Sequence, residues 1–188
     1  WQTMQNQIEL YKLINSSVFI FADVSGSIQG EPKIPLSKRP KLKDNEWSDY
    51  CNKVSEIAKR LSDIGLPMSY HEHMGTIIQS EQDIYRLLDN TNDKTSLLFD
   101  TGHIFFAKGD YESILKKYVS RINHVHCKDI RKEILNRSLS KDLSFRDSFL
   151  EGVFTVPGDG YINYKPLFKT LYDNKYSQWL IVEAEQDP

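Results

Sequence analysis

Apolar positions along the chain follow two alternating periods. Residues 5–14 place Ile8, Tyr11, Leu13 and Ile14 near one helical face, Ser16 and Ser17 break the pattern, and the unbroken apolar run Val18-Phe19-Ile20-Phe21 follows. That spacing predicts a helix and then a buried strand. The same succession recurs, with apolar strand runs at about 67–72, 96–100, 122–126 and 179–183. Between them, residues 46–64 carry Trp47, Cys51, Val54, Ile57, Ala58 and Leu61 at three-and-four spacing, and 81–88, 111–119 and 164–172 repeat the helical period. Strands alternating with amphipathic helices form a parallel sheet, whose strands are covered on both faces and read as continuous apolar runs.

The strand runs end in an acid or a histidine: Asp23, Glu72, Asp100, His126 and Glu183. An open doubly wound sheet spreads such ends along a line, whereas a barrel gathers them around one axis. The expected fold is therefore α/β, a (β/α)8 barrel. Eight units normally need about 250 residues, so a chain of 188 residues beginning at Trp1 is expected to be one incomplete domain, 1–188. It would hold about five strands, the fourth to the eighth, of the C-terminal part. Its unpaired edges would let copies associate as a homo-oligomer. Two long strand-end loops stand out: 25–45, with Lys38 and Arg39, and 128–160, with Arg131, Arg137, Arg146 and the turn Pro157-Gly158-Asp159-Gly160.

Composition narrows the partners. A hydrophobic content of 39% and a charged content of 27% belong to a globular chain. The net charge is −2 with both signs interspersed, which gives no field for nucleic acid or anionic lipid and leaves a small-molecule substrate as the expectation. The apolar runs are too short for a membrane span, and the start has no basic stretch before an apolar one, so cytoplasmic residence is expected. Cys51 and Cys127 are the only cysteines, and both are expected to be free thiols.

All five histidines fall between positions 71 and 126, at strand-run ends and outside the helical patterns. A lone histidine there is usually just a satisfied polar group; clustering beside carboxylates points to a site. Period-two parity groups Glu72 with Tyr70, Asp100 with Leu98, His126 with His124, and Glu183 with Ile181. Carboxylates converging in a dry pocket repel one another unless a cation compensates them. Three carboxylates and one imidazole (Glu72, Asp100, His126 and Glu183) are a hard donor set suited to Mn2+, Mg2+ or Co2+. Glu185, His103 and Lys128 are the candidates for base and acid, although Lys128 could equally be a substrate-hydroxyl donor, an oxyanion stabiliser or the partner of Asp129. His71 and His73 have the parity opposite to Glu72 and could orient it by hydrogen bonds. His73, Arg39 and Arg131 are candidate substrate-binding residues, and Gly102 suggests a tight βα turn.

The pieces Tyr70-His71-Glu72-His73-Met74-Gly75-Thr76, Leu98-Phe99-Asp100-Thr101-Gly102-His103, His124-Val125-His126-Cys127-Lys128-Asp129-Ile130-Arg131, Gly152-Val153-Phe154-Thr155-Val156-Pro157-Gly158-Asp159-Gly160 and Val182-Glu183-Ala184-Glu185-Gln186-Asp187-Pro188 resemble the inosose dehydratase family. That family lies within the wider xylose-isomerase-like barrel superfamily. The resemblance implies metal ligands at Glu72, Asp100, His126 and Glu183, use of Mn2+ or Co2+, and an association with glutathione. It also implies a lyase of myo-inositol catabolism that removes water from scyllo-inosose (2-keto-myo-inositol), through a metal-stabilised enediolate, to give 3D-trihydroxycyclohexane-1,2-dione. A keto-sugar isomerase or epimerase would use the same metal site, and a non-catalytic, metal-stabilised sugar-binding fragment is a reading of another class.

Overall fold

The computed structural model describes residues 1–186, so Asp187 and Pro188 of the last motif lie outside the described residues. Five parallel strands form one sheet in the order β1 (Phe19–Phe21), β2 (Met68–His71), β3 (Ser96–Asp100), β4 (Ile122–Cys127) and β7 (Leu180–Val182). The register pairs Phe21 with Tyr70, His71 with Leu98, Asp100 with His126, and Cys127 with Val182. Among the described residues, β1 and β7 are edges that do not pair with each other, so the ring is open. Leu180, Ile181 and Val182 of β7, with Trp179 before them, are exposed.

The expected helices are present as α1 (Gln5–Leu13), α2 (Trp47–Asp63), α3 (Glu81–Asp89), α5 (Tyr111–Tyr118) and α8 (Tyr164–Asp173). In α2 the residues Trp47, Cys51, Val54, Ala58 and Leu61 are buried, the stripe that the three-and-four spacing describes. Each large apolar side chain so buried contributes roughly 1.5–3 kcal/mol. The helix stops at Gly65, whose φ of +75° suits a residue without Cβ. In α3 the Ser80 hydroxyl accepts from Asp83 N while the Asp83 carboxylate accepts from Ser80 N, so each end of the box satisfies a free amide. No helix among the described residues is long and apolar enough to cross a membrane.

Two regions depart from expectation. Helix α4 (Thr101–Phe106) starts directly at the end of β3, so His103 lies in a helix, contrary to the periodicity, which puts every histidine outside one. Its six residues are too few to show a helical period. The segment expected as a long loop, 128–160, holds α6 (Lys132–Ser140), α7 (Phe145–Leu150) and the antiparallel pair of β5 (Asp129–Ile130) with β6 (Phe154–Thr155).

Candidate active site

Asp100 ends β3 and caps α4: its Oδ1 accepts from Gly102 N and His103 N at 2.9 and 3.0 Å, which leaves Oδ2 free to face the neighbouring strand. Across the register sits His126, whose Nδ1 is 3.3 Å from Asp100 Oδ2 and 2.5 Å from Glu183 Oε2. Lys128 has the parity of His126, and its fully buried ammonium lies 3.3 Å from Asp100 Oδ2, 3.3 Å from Glu183 Oε1, 2.9 Å from Glu185 Oε2 and 3.1 Å from His103 Nε2. Six of the residues singled out in the sequence (Asp100, His126, Glu183, Glu185, Lys128 and His103) therefore converge.

His73 adjoins this group. Its Nδ1 donates to Met74 O at 2.9 Å, which turns Nε2 toward Glu185 Oε1, 3.9 Å away. Its ring lies 4.0 Å from that of His103, centroid to centroid, and Phe145 packs against both. Phe154 closes the far side, with Lys128 Nζ 4.9 Å from its ring centre.

On β2 strand parity and structure part. Strand parity puts Glu72 among the inward residues, but His71 pairs with Leu98, whose face Asp100 shares, and so His71 turns inward. Parity shows which residues share a face, not which face points inward, and in a strand buried on both sides the flanking residues do not break the tie. His71, Asp100 and His126 each offer one ligand atom within 4.8 Å of the others, as do His71, His73 and His103. Glu72 is fully buried, and its Oε2 lies 3.8 Å from His71 Nδ1.

The electrostatics are those of charge held without water. Burial opposes the Lys128 ammonium, but Asp100, Glu185 and Glu183 outweigh it and keep the lysine charged well above its ordinary range. Burial also opposes the Asp100 carboxylate, and the charged Lys128 above all overcomes it, holding Asp100 well below its usual value. Burial pushes His71 down to about 3 and His103 well below its ordinary value, so both are neutral imidazoles able to offer a lone pair. For His126 burial is outweighed by Asp100 and Glu183, which push it up to about 9.

Asp100 Oδ2, His126 Nδ1 and Glu183 Oε2 are buried and crowd one another without forming a well-aligned hydrogen bond, and His71 Nδ1 and both Glu72 oxygens are buried with no hydrogen-bond partner. Orphaned buried groups of this kind are costly, and so many in one place need a common partner. Carboxylate oxygens and imidazole nitrogens are the donors a divalent cation takes. The residues present therefore fit such an ion.

The surrounding chain fixes these groups. Thr101 Oγ1 accepts from Lys128 N at 3.0 Å and lies 2.9 Å from Lys128 O and 3.0 Å from the Tyr164 hydroxyl, tying β4 to α4 and α8. Asp129 is not the partner of Lys128: it accepts from Ile130 N, Ile162 N and Gly158 N, and so holds the Pro157–Gly160 turn. The sequence marks Thr101 and Asp129 as members of the motifs around Asp100 and Lys128 but does not reveal these backbone contacts. Neither candidate arginine is brought to the cluster. Arg39 donates to Pro40 O, Thr76 O, Ile77 O and Asp83, while Arg131 donates to Gly152 O, Phe154 O, Thr155 Oγ1 and Asp159. His124 lies deeper, lining an apolar cavity of about 380 Å³ with Ile14, Val18, Ile20, Trp179 and Ile181.

Residues 2–188 match the model of a family described as the xylose isomerase-like TIM barrel. The inosose dehydratase of Bacillus velezensis is 40% identical over 93% of this chain and 59% of its own length. That of Yersinia enterocolitica is 41% identical over 97% and 62%. The rhizopine catabolism protein MocC of Rhizobium meliloti is 41% identical over 90% and 52%. The chain thus spans about half to three-fifths of the length of the curated relatives it matches. A probable 3-DHS dehydratase from Bacillus anthracis shares the fold at a TM-score of 0.70 and 14% identity, covering 97% of this chain and 62% of its own. The IOLI protein solved with a binding zinc atom does so at 0.68 and 15%, covering 98% and 60%.

Proposed function

Since this chain belongs to the xylose isomerase-like TIM barrel family, we propose that its convergent site serves a metal-dependent hydro-lyase of inositol catabolism, an inosose dehydratase acting on scyllo-inosose. The observation that carries the proposal is the meeting of the Asp100, Glu183 and Glu185 carboxylates with His126, His103 and the buried Lys128 ammonium. Relatives named inosose dehydratase, at about 40% identity, supply the substrate class.

Asp100, His126, Glu183 and a donor from the end of β2 would hold the cation, and this mixed oxygen and nitrogen set suits Mn2+ or Co2+. When bound, the ion supplies Lewis acidity to a ketone oxygen and a neighbouring hydroxyl. The chain's own residues supply the proton transfers. Glu185, with a side chain 29% exposed beside the imidazoles of His73 and His103, is the group open to substrate and takes the proton from the carbon next to the ketone. Lys128 stays charged and offers hydrogen bonds to oxygen atoms that gain negative charge. His103, a neutral imidazole 3.1 Å from Lys128 Nζ and 3.5 Å from Glu185 Oε2, is placed to relay to the departing β-hydroxyl the proton that Glu185 has taken up. A carbon–hydrogen bond and a carbon–oxygen bond break, and the hydroxyl leaves as water. Glutathione, which the resemblance implies, enters no step, and a cytoplasmic setting suits the substrate.

Incubating the whole protein with scyllo-inosose and following the dione by its absorbance tests the proposal. Metal-dependent appearance of the dione is expected. Exchange of the α-proton with solvent without loss of water would instead identify an isomerase or epimerase.

A further inference from the structure

His71, not Glu72, occupies the inward position at the end of β2. Its ring centre lies 5.3 Å from that of His126, and one of its nitrogens falls within 4.8 Å of ligand atoms of Asp100 and His126. Glu72 joins no such group among the described residues. Resting on the cation site proposed above, we infer that β2 contributes His71 to the cation through Nε2, and that Glu72 accepts from His71 Nδ1 to hold the ring in place.

Two unpaired atoms support the exchange of roles. His71 Nδ1 and Glu72 Oε2 are both buried and lack hydrogen-bond partners, yet stand 3.8 Å apart. Closing that gap by about 1 Å makes a normal hydrogen bond and satisfies both. A histidine on a metal through one nitrogen commonly donates from the other to a carboxylate, which fixes the tautomer and the ring plane. With Glu72 as the ligand, His71 would instead remain inward-facing with an unpartnered Nδ1. The ligand set becomes two imidazoles with Asp100 and Glu183, a softer set than three carboxylates and one imidazole, which disfavours Mg2+.

The test loads the whole protein, labelled with 15N-histidine, with Mn2+ and counts imidazole couplings by pulsed electron paramagnetic resonance, alongside metal titrations of His71→Gln and Glu72→Gln. Two coupled imidazoles are expected in the unmodified protein. His71→Gln should lose one coupling and most of the affinity, whereas Glu72→Gln should keep both couplings and one ion, bound about 10–100-fold more weakly. A single coupling in the unmodified protein, or loss of the ion from Glu72→Gln but not from His71→Gln, would overturn the inference while leaving the cation site standing. Failure of the unmodified protein to bind Mn2+, Co2+ or Zn2+ would overturn both. Thermal melts of the metal-free variants establish that they fold, and the two-coupling count needs neither variant.

Discussion

The stem of Lys128 lies against Gly102 so closely that a Cβ on Gly102 would come within 2.7 Å of Lys128 Cγ and 2.8 Å of Cδ. Gly102 sits inside α4, so its lack of a side chain, not a turn conformation, is what the site uses. Gly102→Ala is expected to displace the ammonium from Asp100, Glu183 and Glu185, destabilise the fold by about 1–3 kcal/mol and lower kcat more than KM. Denaturant titration and turnover measurements check this, and an alanine variant with unchanged stability and kcat would contradict the packing described.

Arg39 ties the 25–45 segment to the loop after β2 and to the first turn of α3. Its pair with Asp83 at 2.6 Å is largely buried, with side-chain exposures of 8% and 16%. Arg39→Ala removes the counter-charge of Asp83, which keeps its bonds from Ser80 and Gln79, and should cost roughly 1–3 kcal/mol, with little change in KM for those molecules that stay folded. A large rise in KM at unchanged stability would return Arg39 to a direct role with substrate.

Asp110 caps α5, accepting from Glu112 N, Ser113 N and the Ser113 hydroxyl. The Ser113 bonds, chief among these contacts, hold its carboxyl below the ordinary value of 3.8. A depressed pKa contributes stability that is present above the unfolded value and is lost as pH falls through the folded one. The residue is exposed, so the effect is modest: Asp110→Ala should cost about 0.5–1 kcal/mol at neutral pH, and the gap should close as pH drops below about 4. Urea titrations across that range would show it, and a gap independent of pH would remove the carboxylate from the account.

Cys51 and Cys127 are free and buried, and burial raises both thiols, Cys127 to about 11. Neither should react with a thiol reagent at mildly alkaline pH while the protein is folded, and both should react in denaturant. One equivalent of rapid labelling in the native state would show that the strand end at Cys127 or the α2 face at Cys51 opens.

The five parallel strands and the α2, α3, α5 and α8 helices were legible because each buries a run or stripe long enough to set a period. Helix α6 buries only Leu135 and Ser138 and has no such stripe, and β5 and β6 are two residues each. The convergence of Asp100, His126 and Glu183 followed from acids and histidines at strand ends, because strands that run parallel bring those ends to one side. The inward face of β2 did not follow, since Met68, Ser69 and Tyr70 are all buried and parity alone cannot tell lumen from helix layer. Thr101 and Asp129 act through backbone groups distant in sequence, the contacts of Asp129 reaching Gly158 and Ile162, so their roles appear only when the chain is folded.

A divalent ion on Asp100, His126 and Glu183 is the claim on which the rest depends. Metal analysis of the whole protein beside Asp100→Asn and His126→Ala tests it most directly. About one ion per chain is expected in the unmodified protein, with loss of it in both variants. Equal metal content in all three proteins would contradict it.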